Sequence, residues 1–439
     1  MTVGLSAGFI RSIDANRTIK DGLIAAIGNS RARLRISVTD LGSLMQAFFS
    51  RTRPEVTPSP DKLQLMMAGT GFHEVLGPLI SSEEYLEQLL EFEGIVGKVD
   101  IYEDFPVELK TTSKIPTDIY KGRSSYFEQL GMYCVMANKD KGRLYVYQRE
   151  DTGQPHQFRV YEARFNNIER ITSEMRLRRD LLNESLAQKT PSQLPQCKWL
   201  YMGCDYSRIC SCRDKSPDSP IVSREEVEIT EIPDIAEEIQ GKLLSVQPSD
   251  PKLILNDLVF PRKAAMRRTR PSEVKPVTMP ELQQKGFRYQ LYSALRDGSR
   301  GQFQSVPVQL GSILDKVDEY QDIPTILRTT KLKEMVQREQ LPSFFSHYFD
   351  RLALTCALRN IRQGRLIIYY ESIKSDKFMV YDVTFHSRNA ILDEARRRLD
   401  LLEQGADHSD LPPCPTWMTK FCEFAPGCGC HESEESQEA

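Results

Sequence analysis

Asp100, Glu108 and Lys110 fall within one short stretch, GKVDIYEDFPVELKTT, residues 97–112. If VELK is a strand, Glu108 and Lys110 point to the same side, because strand side chains alternate with period two. An aspartate ending the preceding strand of a hairpin reaches the same edge. Two carboxylates converging there can hold a hard divalent cation such as Mg²⁺ or Mn²⁺ through oxygen. Such an ion acidifies a bound water and neutralises charge building on a phosphate, and the lysine ammonium can orient that water. Taken alone, D…ExK is a weak pattern, more often solvated charge on a surface hairpin. Upstream, His73 follows Gly69 in Gly-x-x-x-His spacing; downstream, Gln129 and Tyr133 are neighbours on one helix face at i and i+4. Singly, His73 reads as a structural histidine and Gln129 as helix surface.

The elements that must position these residues occur twice. TDLGSLMQAFFSRTRP (39–54) aligns with NDLVFPRKAAMRRTRP (256–271), and GFHEVL (71–76) with GFRYQL (286–291). GKVDIYEDFPVELKTT meets DKVDEYQDIPTILRTT (315–330), and the helix-plus-strand run 124–147 meets 346–369. The chain is a tandem duplication. Two homologous lobes are expected at 1–215 and 245–439, joined over 216–244 by a segment whose start is rich in Pro, Ser and charge and reads as a linker. Each lobe runs from an N-terminal helical region to an extended stretch near 93–102, the strand VELKTT, a helix near 122–138, two β-rich runs (GRLYVYQ, QFRVYEARF) and a charged amphipathic helix ending near LLNESL. The expected fold class is α/β, a mixed sheet flanked by helices in each lobe.

The order GxxxH, D, ExK, QxxxY resembles the RecB-like branch of the PD-(D/E)xK nuclease superfamily, most closely its CRISPR-associated and AddB-type iron–sulfur exonucleases. The resemblance runs from about residue 38 to 212 and, more faintly, through the second lobe. It implies two restriction-endonuclease-like lobes and hydrolysis of DNA phosphodiesters. His73, Asp100 and Glu108 would be ligands of Mg²⁺ or Mn²⁺, Lys110 would place the attacking water, and Gln129 and Tyr133 would support the site.

Ten cysteines sharpen the match. Cys197, Cys204, Cys210 and Cys212 are spaced C-x6-C-x5-C-x-C, and Cys414, Cys422, Cys428 and Cys430 C-x7-C-x5-C-x-C. Four thiolates per lobe, without a secretion signal, argue for metal rather than disulfides. Four cysteines satisfy zinc or iron–sulfur alike, although zinc sites more often carry C-x2-C pairs, absent here. The resembling nucleases hold a 4Fe–4S cluster with one cysteine near the N-terminus. Here Ser43 and Phe260 stand at that position, so we expect a self-contained 4Fe–4S cluster in each lobe, with Zn²⁺ as the alternative, stapling the Cys-rich end to the core. Cys134 and Cys356 align with each other and read as small core residues.

The second lobe strikes out the charged chemistry. His73 becomes Arg288, Glu108 Ile326, Lys110 Arg328, Gln129 Arg351 and Tyr133 Thr355; Asp100 alone persists, as Asp318. Lobe two is therefore expected to be inactive. Its new arginines either grip nucleic-acid phosphate or fill an unused cleft. PRKAAMRRTRP adds Arg262, Lys263, Arg267 and Arg268, a nucleic-acid face or a solvated helix.

Composition permits this reading without demanding it. Hydrophobic content of 40%, charged content of 27% and a net charge of −3 describe an ordinary globular protein with no overall pull towards nucleic acid. No signal peptide or long apolar run is evident, so a cytoplasmic protein with no membrane contact is expected. The acidic tail HESEESQEA reads as a solvated end. The leading expectation is a metal-dependent deoxyribonuclease, exonucleolytic on single-stranded ends, acting in CRISPR adaptation and antiviral defence or in recombination and repair, with proteins of such a complex as partners. The alternative is a non-catalytic DNA-binding structural subunit of a larger assembly.

Overall fold

The computed structural model describes residues 4–6, 8–29, 35–56, 60–149, 157–197, 204–245, 252–275, 278–298, 302–374, 376–415, 418 and 422–430. The acidic tail lies outside them. The chain opens on strand β1 (Ile10–Ala15) and helix α1 (Arg17–Asn29), followed by β2 (Ile36–Ser37), α2 (Val38–Leu41), α3 (Leu44–Thr52) and α4 (Pro60–Ile80). A hairpin of β3 (Leu86–Phe92) and β4 (Ile95–Tyr102) leads to β5 (Pro106–Thr112), α5 (Ile119–Met136), β6 (Lys141–Gln148), β7 (Gln157–Phe165) and α6 (Ile168–Gln188). After the first cysteine group come β8 (Val227–Glu231), α7 (Pro233–Ser245), α8 (Leu255–Val259), α9 (Pro261–Thr269) and α10 (Met279–Gly298). The second series closes with β9 (Phe303–Leu310), β10 (Ile313–Tyr320), β11 (Ile323–Thr330), α11 (Leu341–Phe344), α12 (Ser346–Arg359), β12 (Gln363–Tyr370), β13 (Phe378–Phe385) and α13 (Arg388–Glu403).

These elements form two compact units, each a mixed sheet flanked by helices. One unit comprises Arg31–Ser245 with Thr278–Gln290. Its sheet runs β2-β4-β5-β6-β7-β8, with β3 paired antiparallel along β4. The other comprises Met1–Ser30, Val246–Val277 and Leu291–Ala439, with the order β1-β13-β12-β11-β10-β9. Six strands correspond between the two sheets in order and pairing, β3-β4-β5-β6-β7-β8 with β9-β10-β11-β12-β13-β1, and β2 is an addition to the first. In both, the ExK-type strand pairs parallel to the strand after the long helix, β5 with β6 and β11 with β12. That parallel pairing requires a crossover, which α5 and α12 supply. Tight two-residue turns close the flanking hairpins: Glu93 and Gly94, and again Gln321 and Asp322, take positive φ, as a turn matched to strand twist demands.

The boundaries differ from those expected. Residues 216–244 are not simply a linker, because β8 extends the first unit's sheet beyond β7 and α7 follows it. Nor is the N-terminus only helical: β1 occupies the equivalent edge of the other sheet, antiparallel to β13. The duplication therefore reaches the N-terminus, and each repeat lends its leading strand and helix to the unit built by the other. Leu5 and Val222, at matching places before these strands, are both fully buried. Ser6 ties its arm down through its amide and hydroxyl on Asp350 Oδ1, at 2.7 and 2.5 Å. On the other arm, the Tyr120 hydroxyl donates to the Val222 carbonyl at 2.6 Å.

Candidate functional site

Alternation along β5 does what the pattern requires. Glu108 and Lys110 share a face, and the Lys110 ammonium donates to the Glu108 carboxylate and, at 2.9 Å, to Gln129 Oε1 on α5. Gln129 Nε2 donates to the Tyr133 hydroxyl at 3.1 Å, and that hydroxyl donates to the Lys98 carbonyl on β4 at 2.9 Å. The i, i+4 pair on α5 thus forms a polar chain from the lysine to the next strand. Asp100 reaches the same edge because β4 and β5 pair at Ile101 and Val107, and its Oδ2 accepts from the Leu109 amide at 2.7 Å. From α4, His73 Nδ1 stands 3.3 Å from Asp100 Oδ1. The structure gathers all six expected residues around one cavity of about 660 Å³.

Burial makes this cluster electrostatically tense. Glu108 is 2% exposed, and its Oε2 is buried with no hydrogen-bond partner. Leaving such an acceptor unsatisfied costs about 1–3 kcal/mol. Burial, with the Asp100 charge adding to it, pushes the Glu108 carboxyl up to about 7 against the pull of Lys110. Asp100 responds oppositely: burial would raise it, but His73, Lys110 and the Leu109 amide together hold it below the usual carboxylate range. Burial would likewise lower Lys110, yet Glu108 and Asp100 overcome this and raise it. Glu108 and Asp100 both line the cavity, and carboxylate oxygens are the ligands a hard cation takes. Among the described residues, no group of three or more His, Cys, Asp or Glu side chains is drawn together closely enough to hold a metal ion as it stands.

Sequence reading overlooked the cavity wall. Arg35, Glu87, Leu89 and Lys98 also line it, and Lys98 pairs with Glu87 and Arg35 with Glu91. One signal was available. Gly97 is open because a Cβ there would lie 2.7 Å from the Tyr133 ring, whereas the second repeat has Asp315 and Thr355 at the matching positions. In that unit Arg351 pairs with Asp315 at 3.3 Å, across the space that Gly97 and Tyr133 leave differently arranged in the first. Asp318 accepts from Ser305 at 2.5 Å, and Arg328 donates to the Leu327 carbonyl while its guanidinium lies 5.7 Å from the Tyr348 ring centre. Arg288 lies on the part of α10 that belongs to the first unit.

The basic residues of α9 each have a partner within their own unit. Arg262 donates to the carbonyls of Leu411 and Cys428, Lys263 pairs with Glu423, Arg267 with Asp257, and Arg268 donates to the Leu402 carbonyl. Arg262, Lys263 and Arg268 fasten the cysteine-rich end and α13 to α9, and Arg267 ties α9 to α8.

Among the described residues, neither cysteine group is drawn together closely enough to hold a metal as it stands, but the members of each are near one another. Cys197, Cys204, Cys210 and Cys212 line one cavity of about 350 Å³. Hydrogen bonding to Cys197 and then burial push the Cys204 thiol far up, and burial with Cys210 nearby takes Cys212 to about 11. Ser43, at the position where the resembling nucleases carry a cysteine, places its hydroxyl 3.3 Å from Cys197 Sγ. In the second group Cys414, Cys422, Cys428 and Cys430 cluster with Phe424 and Met266, and Phe260 packs against them. Cys134 and Cys356 are buried core residues, as expected.

The chain matches no family model and no curated protein. A solved structure described as "Crystal structure of SSO0001" is similar at 18% identity over 44% of this chain and 94% of that one, with a TM-score of 0.31, too low to carry an argument. Among the described residues, no helix is long and apolar enough to cross a membrane.

Proposed function

We propose that the first unit is a divalent-metal-dependent deoxyribonuclease of restriction-endonuclease-like architecture and that the second is its inactive twin. The observation carrying this reading is the unpaired, buried Glu108 Oε2 beside Asp100 and Lys110 in an open cavity. His73, Asp100 and Glu108 would hold Mg²⁺ or Mn²⁺, which when bound acidifies water and stabilises charge developing on the phosphate. The chain's own residues do the rest. An ammonium has three N–H donors; Lys110 spends one on Glu108 and one on Gln129, leaving one to orient an attacking water. Gln129, held by Tyr133, fixes the lysine's direction. The water oxygen bonds to phosphorus as the P–O bond to the leaving sugar oxygen breaks; the water's proton passes to solvent and the leaving oxygen is protonated.

Single-stranded DNA ends are the proposed substrate, in CRISPR adaptation or recombination, as the resemblance to RecB-like exonucleases implies. Each cysteine group would carry a 4Fe–4S cluster or zinc, joining its Cys-rich end to the core. The deciding assay is degradation of end-labelled DNA with Mn²⁺, comparing wild type with Lys110→Ala. Metal-dependent loss of label in wild type alone supports the reading. Its absence in both favours a DNA-binding subunit whose site does no chemistry.

A further inference from the structure

His73 is the one site residue carried by neither β4–β5 nor α5; it depends on where α4 lies. On its sheet side α4 is set by Phe72, stacked on Tyr147 of β6 at 4.8 Å between ring centres, and by Gly69, where a Cβ would lie 3.4 Å from Thr111 Oγ1 of β5. A third contact comes from the other repeat. The first part of α10, Thr278–Gln290 by unit membership, belongs to the same compact unit, and there Gly286 meets Gly71. A Cβ on Gly71 would stand 1.8 Å from the Gly286 carbonyl oxygen, and one on Gly286 would stand 2.1 Å from the Gly71 carbonyl oxygen. Neither glycine has positive φ; each is required by backbone-to-backbone approach. They are also the same residue of the repeat, GFHEVL against GFRYQL, touching at the equivalent point. His73 follows Gly71 by two positions, less than one helical turn.

We propose that Gly286, in the repeat that lost the catalytic residues, is a positioning residue for His73. No side chain fits at 286 without moving α4 or α10, because the obstructing atoms are backbone and not the yielding end of a side chain. A displaced α4 carries the imidazole away from Asp100 Oδ1, which it now meets at 3.3 Å. The inactive repeat is on this view part of the active centre's frame, which explains why α10 keeps GF while losing the histidine.

This inference rests on the metal-site reading, so the test separates the two. Mn²⁺ affinity of the full chain is measured for wild type, Gly286→Ala, His73→Ala and the double variant, with exposed Lys285→Ala as control. Side-chain NMR of the His73 ring is recorded without metal. The expected result is an affinity loss of about tenfold or more for Gly286→Ala, the scale seen when a ligand's support is removed. The same change should do little in the His73→Ala background, and the His73 ring signals should shift. Equal losses in both backgrounds, or an unmoved His73 ring, would overturn the inference. If wild type takes up no Mn²⁺, the metal-site reading fails, and the ring signal still decides whether Gly286 places His73.

Discussion

The Lys110 ammonium stands 2.9 Å from Gln129 Oε1, a bond from strand to helix that fixes the direction of the lysine's remaining donor. Removing the ammonium should cost about 10²–10³-fold in turnover, as for other single donors aimed at developing charge. Gln129→Ala should cost less, because Glu108 still holds Lys110. Rates of DNA degradation in Mn²⁺ for the two variants check the order. A Gln129→Ala loss equal to that of Lys110→Ala contradicts it.

Glu108 gives the metal-free protein a pH signature. Its folded pKa of about 7 lies above the unfolded value of 4.5, so the folded state holds the proton more tightly. Stability is then greatest below the unfolded value and is lost as pH rises towards 7, by about 3 kcal/mol at most. Asp100, shifted the other way, acts only in more acid solution. Urea unfolding with chelator between pH 4.5 and 7.5 should show this decline in wild type and not in Glu108→Gln.

The exchanged arms make the repeats interdependent. Leu5 is fully buried in the unit built mainly from the second repeat, so Leu5→Ala should destabilise that unit by about 2–5 kcal/mol. Deleting residues 1–29 should unfold more of that unit than of the first, read by hydrogen exchange on β13 against β7. Equal protection on both strands would refute the exchange.

Arg351 of the second unit already has a carboxylate partner in Asp315, as expected of a refilled cleft. Replacing Arg288, Arg328 and Arg351 together by alanine should leave the salt dependence of DNA affinity unchanged. A slope reduced by two or three contacts, roughly 0.9 each on duplex DNA, would instead assign them to phosphate.

Much of this architecture could be read in the sequence because the duplication states each element twice. Hydrophobic periodicity located α5, and period-two alternation put Glu108 beside Lys110. The cysteine spacing announced the group that lines one cavity. Two things could not be read. The arms share little sequence beyond a strand-then-helix pattern, and the Pro and Ser before β8 imitated a linker. The contacts of Arg262 and Arg268 are to backbone carbonyls of Leu411, Cys428 and Leu402, acceptors that leave no trace in residue identity.

The cysteine groups predict a coloured or zinc-bearing protein. Elemental analysis and visible absorbance after anaerobic purification should find iron with sulfide and a brown colour, or zinc without colour. Cys204→Ser should halve the content, and Cys134→Ser should leave it unchanged.

Calorimetric titration of Mn²⁺ at neutral pH into wild type and Glu108→Ala tests the central claim most directly. One specific site in wild type, lost in the variant while the fold is retained, is the predicted result. Wild type without that site, or a variant that binds as tightly, would contradict it.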